Sequence, residues 1–229
     1  MIKPVTLVKS IYNYLNPFQW FLITGMVFTS YLAGGLYDPI SAICSIAGVV
    51  CVVLVGKGSI HNYLFGVVNV VLYIIISYNA KLYGETMLNV LYYLPIQFIG
   101  FFLWKRNISK DNLVFARNLS KSRFALVVLV SILSIIVYAQ VLVCLGDVSP
   151  YLDSTTTVLS IVAQILMLLR LSEQWLLWVV VNVCSIAMWL MVYISGTESA
   201  LIMALMWTFY LINSVYGYIN WRSKLSCTK

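Results

Sequence analysis

Charge is what this chain has least of. Of its 229 residues only 9% are Asp, Glu, Lys or Arg, against about 25% in a soluble domain. Histidine occurs once, as His61, with no Asp or Glu beside it. No metal site of the usual His, Cys and carboxylate kind can be built on it. The five cysteines (Cys44, Cys51, Cys144, Cys184 and Cys227) form no Cys-x-x-Cys pair, and four lie in apolar stretches. They read as small core residues, neither a disulfide framework nor ligands. A Gly-x-x-x-x-Gly-Lys-Ser/Thr phosphate loop is absent, which argues against an ATP-driven machine. No His/Asp or Glu/His cluster is available for catalysis, so an enzyme is not expected, and neither a cofactor nor a metal is called for.

Hydrophobic residues make up 62% of the chain and the mean hydropathy is +0.95. This is a multi-spanning, all-α membrane protein. Eight apolar stretches can be marked: about Phe18 to Leu36, Ile40 to Val55, His61 to Asn79, Thr86 to Trp104, Phe124 to Leu145, Ser154 to Leu171, Gln174 to Ile194 and Ser199 to Trp221. The first exceeds the ~7–15 apolar residues of a signal core and more spans follow it, so it is expected to stay as a helix. Asp38-Pro39, Gly56-Lys57-Gly58-Ser59, Lys81–Glu85 and Asp147–Asp153 read as turns. Lys105–Arg123 is the one long polar connection.

The excess of basic over acidic residues reads as topology, not as nucleic-acid binding. With eight spans and a cytoplasmic N-terminus, the inside holds Lys3, Lys9, Lys57, the six basic residues of Lys105–Arg123, Arg170, Arg222, Lys224 and Lys229. The outside holds Lys81 alone, thirteen against one. Both termini are then cytoplasmic. If the first stretch did not span, the balance would be eleven against three.

Two parts of the chain echo each other. His61-Asn-Tyr-Leu-Phe-Gly-Val-Val-Asn69 aligns with Gln174-Trp-Leu-Leu-Trp-Val-Val-Val-Asn182, so Asn62 falls on Trp175, Phe65 on Trp178 and Asn69 on Asn182. Ser45-Ile46-Ala47 and Ser160-Ile161-Val162 precede them; Gly100-x-x-x-Trp104-Lys105 and Gly217-x-x-x-Trp221-Arg222 follow. Several matches in one order point to a duplication. A triplet of spans exits on the opposite side, and one extra helix restores the orientation for the second triplet. The expected plan is 3+1+3, two parallel triplets about an axis along the membrane normal. Such a repeat interface is where transporters place substrates. The units are residues 1–38 (N-terminal segment and extra helix), 39–104 (first repeat), 105–123 (basic cytoplasmic loop), 124–153 (linker helix and loop), 154–221 (second repeat) and 222–229 (tail).

Trp175, Trp178 and Asn182 fall at i, i+3 and i+7, within a ~60° arc of one helix face. Two indole faces and an amide can hold a flat heteroaromatic ring and read its polar edge. The same residues also suit a membrane-interface tryptophan and an interhelical contact. Asn69 should face Asn182 across the axis, with Tyr73 extending its stripe and Trp189 extending that of Asn182. Gln97, Gln140 and Gln164, with Asn89 and Asn213, are further amides at membrane depth. An uncharged set of this kind suits a polar, neutral or weakly charged solute. All seven carboxylates (Asp38, Glu85, Asp111, Asp147, Asp153, Glu173 and Glu198) are placed in loops or at span ends. A proton- or sodium-coupled pump usually carries an ionisable group in its path, so passive transport is favoured. Gly66, Pro95, Gly100 and Gly217 are candidate flexing points or close-packing points.

The Trp175-x-x-Trp178-x-x-x-Asn182 motif, with Thr157-Val-Leu-Ser-Ile-Val-Ala-Gln-Ile-Leu-Met167 before it, resembles the PnuC family of bacterial vitamin B3 transporters. The likeness runs from about Ser45 to Trp221. It implies a 3+1+3 fold similar to the SWEET sugar transporters and uptake of nicotinamide riboside across the inner membrane by facilitated diffusion. It further implies substrate contact by Trp175, Trp178 and Asn182, trapping by a cytoplasmic riboside kinase, and a homotrimer. The first half carries Asn62-x-x-Phe65-x-x-x-Asn69 in place of a second tryptophan pair, so an asymmetric site is expected. Relatives of this family that carry thiamine or riboflavin, and small-sugar transporters, are the alternatives.

Overall fold

The computed structural model describes residues 14–33, 36–108, 113–144 and 150–226, with side chains to residue 223. The N-terminal segment with Lys3 and Lys9, Lys110 and Asp111, Asp147, Cys227 and Lys229 lie outside the described residues. Eight helices account for nearly all of the rest: α1 Pro17–Leu32, α2 Pro39–Lys57, α3 Asn62–Asn79, α4 Tyr83–Lys105, α5 Lys121–Cys144, α6 Pro150–Leu168, α7 Gln174–Ile194 and α8 Ala200–Ser226.

Seven of them, α2 to α8, are long and apolar enough to cross a membrane. The exception is α1. Its 16 residues rise about 24 Å, short of a ~30 Å hydrocarbon core. The apolar run to Leu36 is therefore longer than the helix it contains. Asn16 starts α1 with a capping box: its side chain accepts from the Gln19 amide at 2.9 Å, and the Gln19 side chain accepts from the Asn16 amide at 3.0 Å. Pro17 at the first position fits because its missing N–H is one the helix leaves unused. The helix packs on α2 and α8.

Pro95 shapes α4. A proline inside a helix removes one backbone bond and crowds the preceding turn. Here Asn89–Tyr93 widens into a π turn just before it, and the Leu94 amide bonds to the Asn89 carbonyl. The helix continues to Lys105 without breaking.

Helix α3 packs between α2 and α4, and α7 between α6 and α8. Contacts of α8 with α2 and of α4 with α6 join the two sets, while α5 lies against α6. Most of α5 is exposed; Ser131 and Ala139 are its buried positions. Between lipid-facing helices the packing itself, and bonds across it, replace the hydrophobic drive of soluble cores. Trp104, at the end of α4, donates to the Met167 carbonyl at the end of α6 at 3.2 Å. Trp221, near the end of α8, donates to the Gly56 carbonyl at the end of α2 at 3.0 Å. The two rings lie 6.4 Å apart at the centre of a buried aromatic cluster.

At that same end the polar connection is pinned rather than loose. The Val114 amide donates to the Gly58 carbonyl at the α2–α3 turn (2.9 Å). Arg117 exchanges bonds with Arg170 and Ser172 at the α6–α7 turn, both 2.8 Å. The buried Glu173 carboxylate accepts from the Leu119 amide at 3.1 Å and pairs with Arg222 at 3.9 Å. One short segment thus straps both helical turns together. The described cysteines Cys44, Cys51, Cys144 and Cys184 are free thiols, and Cys144 is exposed rather than a core residue.

Candidate functional site

An elongated cavity runs between the helices, and its wall is drawn from α2, α3, α4, α6, α7 and α8. Among the described residues α1 and α5 contribute nothing to it. Along α7 the lining stripe is Trp175, Trp178, Asn182 and Ser185; along α3 it is Asn62, Gly66, Asn69 and Tyr73. Both stripes follow the three-to-four-residue spacing of one helix face. From Asn62 to Tyr73 the α3 stripe spans about 16 Å, long enough for a two-ring solute.

Trp175 is buried, and its ring is held from two sides. Trp221 meets it edge-on at 5.8 Å and 83°. Bare Gly217 lies beneath it, where a Cβ would come within 2.7 Å of the indole. Its Nε1 donor has no partner in the described residues. A buried indole N–H normally finds one. The Asn62 Oδ1 acceptor on α3 is likewise buried without a partner among the described residues. Trp178 is half-buried and lines the cavity one turn further along.

The two asparagines line the cavity and also pack. Asn182 donates to the Ser214 hydroxyl on α8 at 2.9 Å. Asn69 donates to the Cys44 carbonyl on α2 at 3.0 Å. Gln97 and Gln164 face the cavity from α4 and α6. Gln97 rests on Gly66, where a Cβ would come within 2.4 Å of its Oε1. Gly100 likewise receives the Tyr63 ring. These three glycines are therefore close-packing points.

Gln140 does not belong to this site. It lies exposed on α5 and its amide donates to the Tyr151 hydroxyl at 3.2 Å. Membrane depth placed it among the candidates, but α5 turns its polar position away from the cavity wall. Other lining residues escaped the sequence. Ser185 is one turn beyond Asn182, and Asn62 is two turns before Asn69, so the stripes themselves could have found them. Tyr210 and Ser214 recur four apart on α8. Lys81 and Gly84 make Glu85 read from the sequence as the end of a turn. In fact α4 begins at Tyr83, which carries Glu85 into the helix and onto the cavity wall.

Tyr73 closes one end. Trp189 donates to its hydroxyl at 2.8 Å, with the rings 5.8 Å apart edge to face. Beyond Trp189 lies a second cavity, bordered by Asp38, Ser41, Asn79, Thr197 and Ser199 at the helix ends. The bonded pair stands between the two spaces.

The chain matches the family model described as nicotinamide mononucleotide transporter over residues 38–223. It is 46% identical over 194 residues to the nicotinamide riboside transporter PnuC of Neisseria mucosa, covering 81% of this chain and 74% of that protein. The chain belongs to the PnuC family. The Haemophilus influenzae PnuC is 40% identical over 186 residues, 80% of this chain and 78% of its own length. A crystal structure of the vitamin B3 transporter PnuC superposes with a TM-score of 0.83 at 40% identity, covering 93% and 94% of the two chains. The PnuC relatives are transporters, not enzymes, and this chain is a multi-pass membrane protein with seven helices able to span.

Proposed function

We propose that this protein takes up nicotinamide riboside by facilitated diffusion. The observation that carries the reading is the Trp175–Trp178–Asn182 stripe on the cavity wall, with the amides Asn69, Gln97 and Gln164 lining the same space. A pyridinium ring carries delocalised positive charge, and indole faces attract it with about 0.5–2 kcal/mol. The carboxamide and ribose hydroxyls are matched by Asn182, Asn69, Gln97 and Gln164. The relatives named above are called nicotinamide riboside transporters, while the family description names the mononucleotide. The riboside is the better fit, because no Lys or Arg lines the cavity among the described residues to meet a phosphate.

The membrane plan supporting this is 3+1+3, with α2–α4 and α6–α8 as parallel repeats and α5 as the linker. The mirrored Trp104 and Trp221 bonds, and a cavity drawn from those six helices alone, support it. In this plan the triplets rock to expose the site to one side at a time, and the bonded Tyr73–Trp189 pair is the gate toward the second cavity. The concentration of Lys and Arg at the strapped end supports cytoplasmic termini and orientation in a bacterial inner membrane. Cytoplasmic phosphorylation of the riboside would then trap it, and a homotrimer is the assembly expected. Saturable counterflow of riboside in liposomes carrying the purified protein tests the proposal; linear, non-saturating flux would indicate a channel instead.

A further inference from the structure

Glu85 is the one formally charged side chain on the cavity wall among the described residues. It is half-buried. Within the described residues no hydrogen bond or ion pair reaches its carboxylate, and the Asn89 side chain bonds only to its backbone carbonyl. Its electrostatic neighbours are Asp153 at the start of α6 and the neutral Tyr73 and Tyr93 rings. Among the described residues no cation pairs with it. An uncompensated carboxylate on the wall of a cavity within a membrane protein is costly, and such groups mark a path for ions or charged solutes. Moreover, it stands at the end of the bundle where Asp38, Asp153 and Glu198 also gather, with Lys81 as the single basic residue there among the described residues. That end and the cavity therefore present the same sign of charge to an entering solute.

We infer that Glu85, in its ionised form, sets the charge selectivity of the cavity, favouring cationic N-ribosyl heteroaromatics over neutral and anionic analogues of the same shape. This rests on the riboside reading above. Tyr73 places Glu85 toward the far end of the cavity from Trp175, so it acts through its field across a low-dielectric space rather than by stacking. A unit charge pair separated by about 12 Å at an effective dielectric near 20 supports a preference of about tenfold. The same field disfavours a phosphomonoester, which separates the riboside from its mononucleotide without any clash of shape.

The test uses the purified full-length chain as wild type, Glu85→Gln and Glu85→Asp. Each is titrated calorimetrically at about pH 8.5, where the carboxylate is ionised, with nicotinamide riboside, with its uncharged 1,4-dihydro form and with the mononucleotide. The dihydro form keeps the size and ribose while losing the charge. In Glu85→Gln the ratio of riboside to dihydro affinity is expected to fall about tenfold, with dihydro affinity held within about twofold and mononucleotide affinity raised. Glu85→Asp is expected to keep the wild-type ratio. An unchanged ratio in Glu85→Gln, or equal loss of both forms, overturns the inference while the riboside reading stands. Wild type binding neither form overturns both.

Discussion

Trp189 donates its indole N–H to the Tyr73 hydroxyl across 2.8 Å, and the bond separates the central cavity from the space below Asp38. Each residue extends the stripe of a matched asparagine, Tyr73 four residues after Asn69 and Trp189 seven after Asn182. Tyr73→Phe removes this bond while keeping the ring. A buried bond of this type is worth about 0.5–1.5 kcal/mol. Riboside affinity is expected to stay within about threefold, while counterflow in liposomes changes by about threefold or more. Equal effects on binding and counterflow would remove the gate and make the pair part of the binding site.

The two motif tryptophans differ in what surrounds them, so their substitutions should differ. Trp178 is half-buried on the wall. Trp178→Ala is expected to weaken riboside binding at least tenfold, by loss of a cation–π face and apolar area. Its melting temperature should change little. Trp175 is wedged between Trp221 and Gly217, so Trp175→Ala should lose binding and also about 3 kcal/mol of stability. Calorimetry beside thermal unfolding in detergent separates the two patterns.

Gly217→Ala tests whether the Trp175 ring position matters. The added Cβ would lie 2.7 Å from the indole, and overpacking of this kind costs about 1–3 kcal/mol. Riboside affinity is expected to fall severalfold although the substitution touches no ligand. Retention of full affinity would mean that the ring can shift without consequence for the site.

Gln140→Ala is the matched control. The side chain lies on the outer face of α5 with Tyr151 as its partner, and riboside affinity should remain within about twofold. A loss beyond tenfold would put α5 in the transport path.

Much of this site was legible because a helix face repeats. Spacing alone grouped Trp175, Trp178 and Asn182, and the internal echo led from them to Asn69; all four line one cavity. Gln140 misled because hydropathy reports depth in the membrane but not which way a helix turns. Glu85 was missed because Lys81 and Gly84 resemble a loop, whereas α4 starts within that stretch at Tyr83. The strap of residues 113–119 has no periodic signal, since its order comes from bonds to two distant turns. The first apolar run overstated α1, because composition marks an apolar stretch but not where its helix ends.

The most direct measurement is competitive binding of nicotinamide riboside, nicotinamide, the mononucleotide and thiamine to the purified protein, with Trp178→Ala beside wild type. The account predicts that the riboside binds, that the other three bind at least tenfold more weakly, and that Trp178→Ala removes most of the affinity. Thiamine binding without riboside binding, or riboside affinity unchanged in Trp178→Ala, would contradict it.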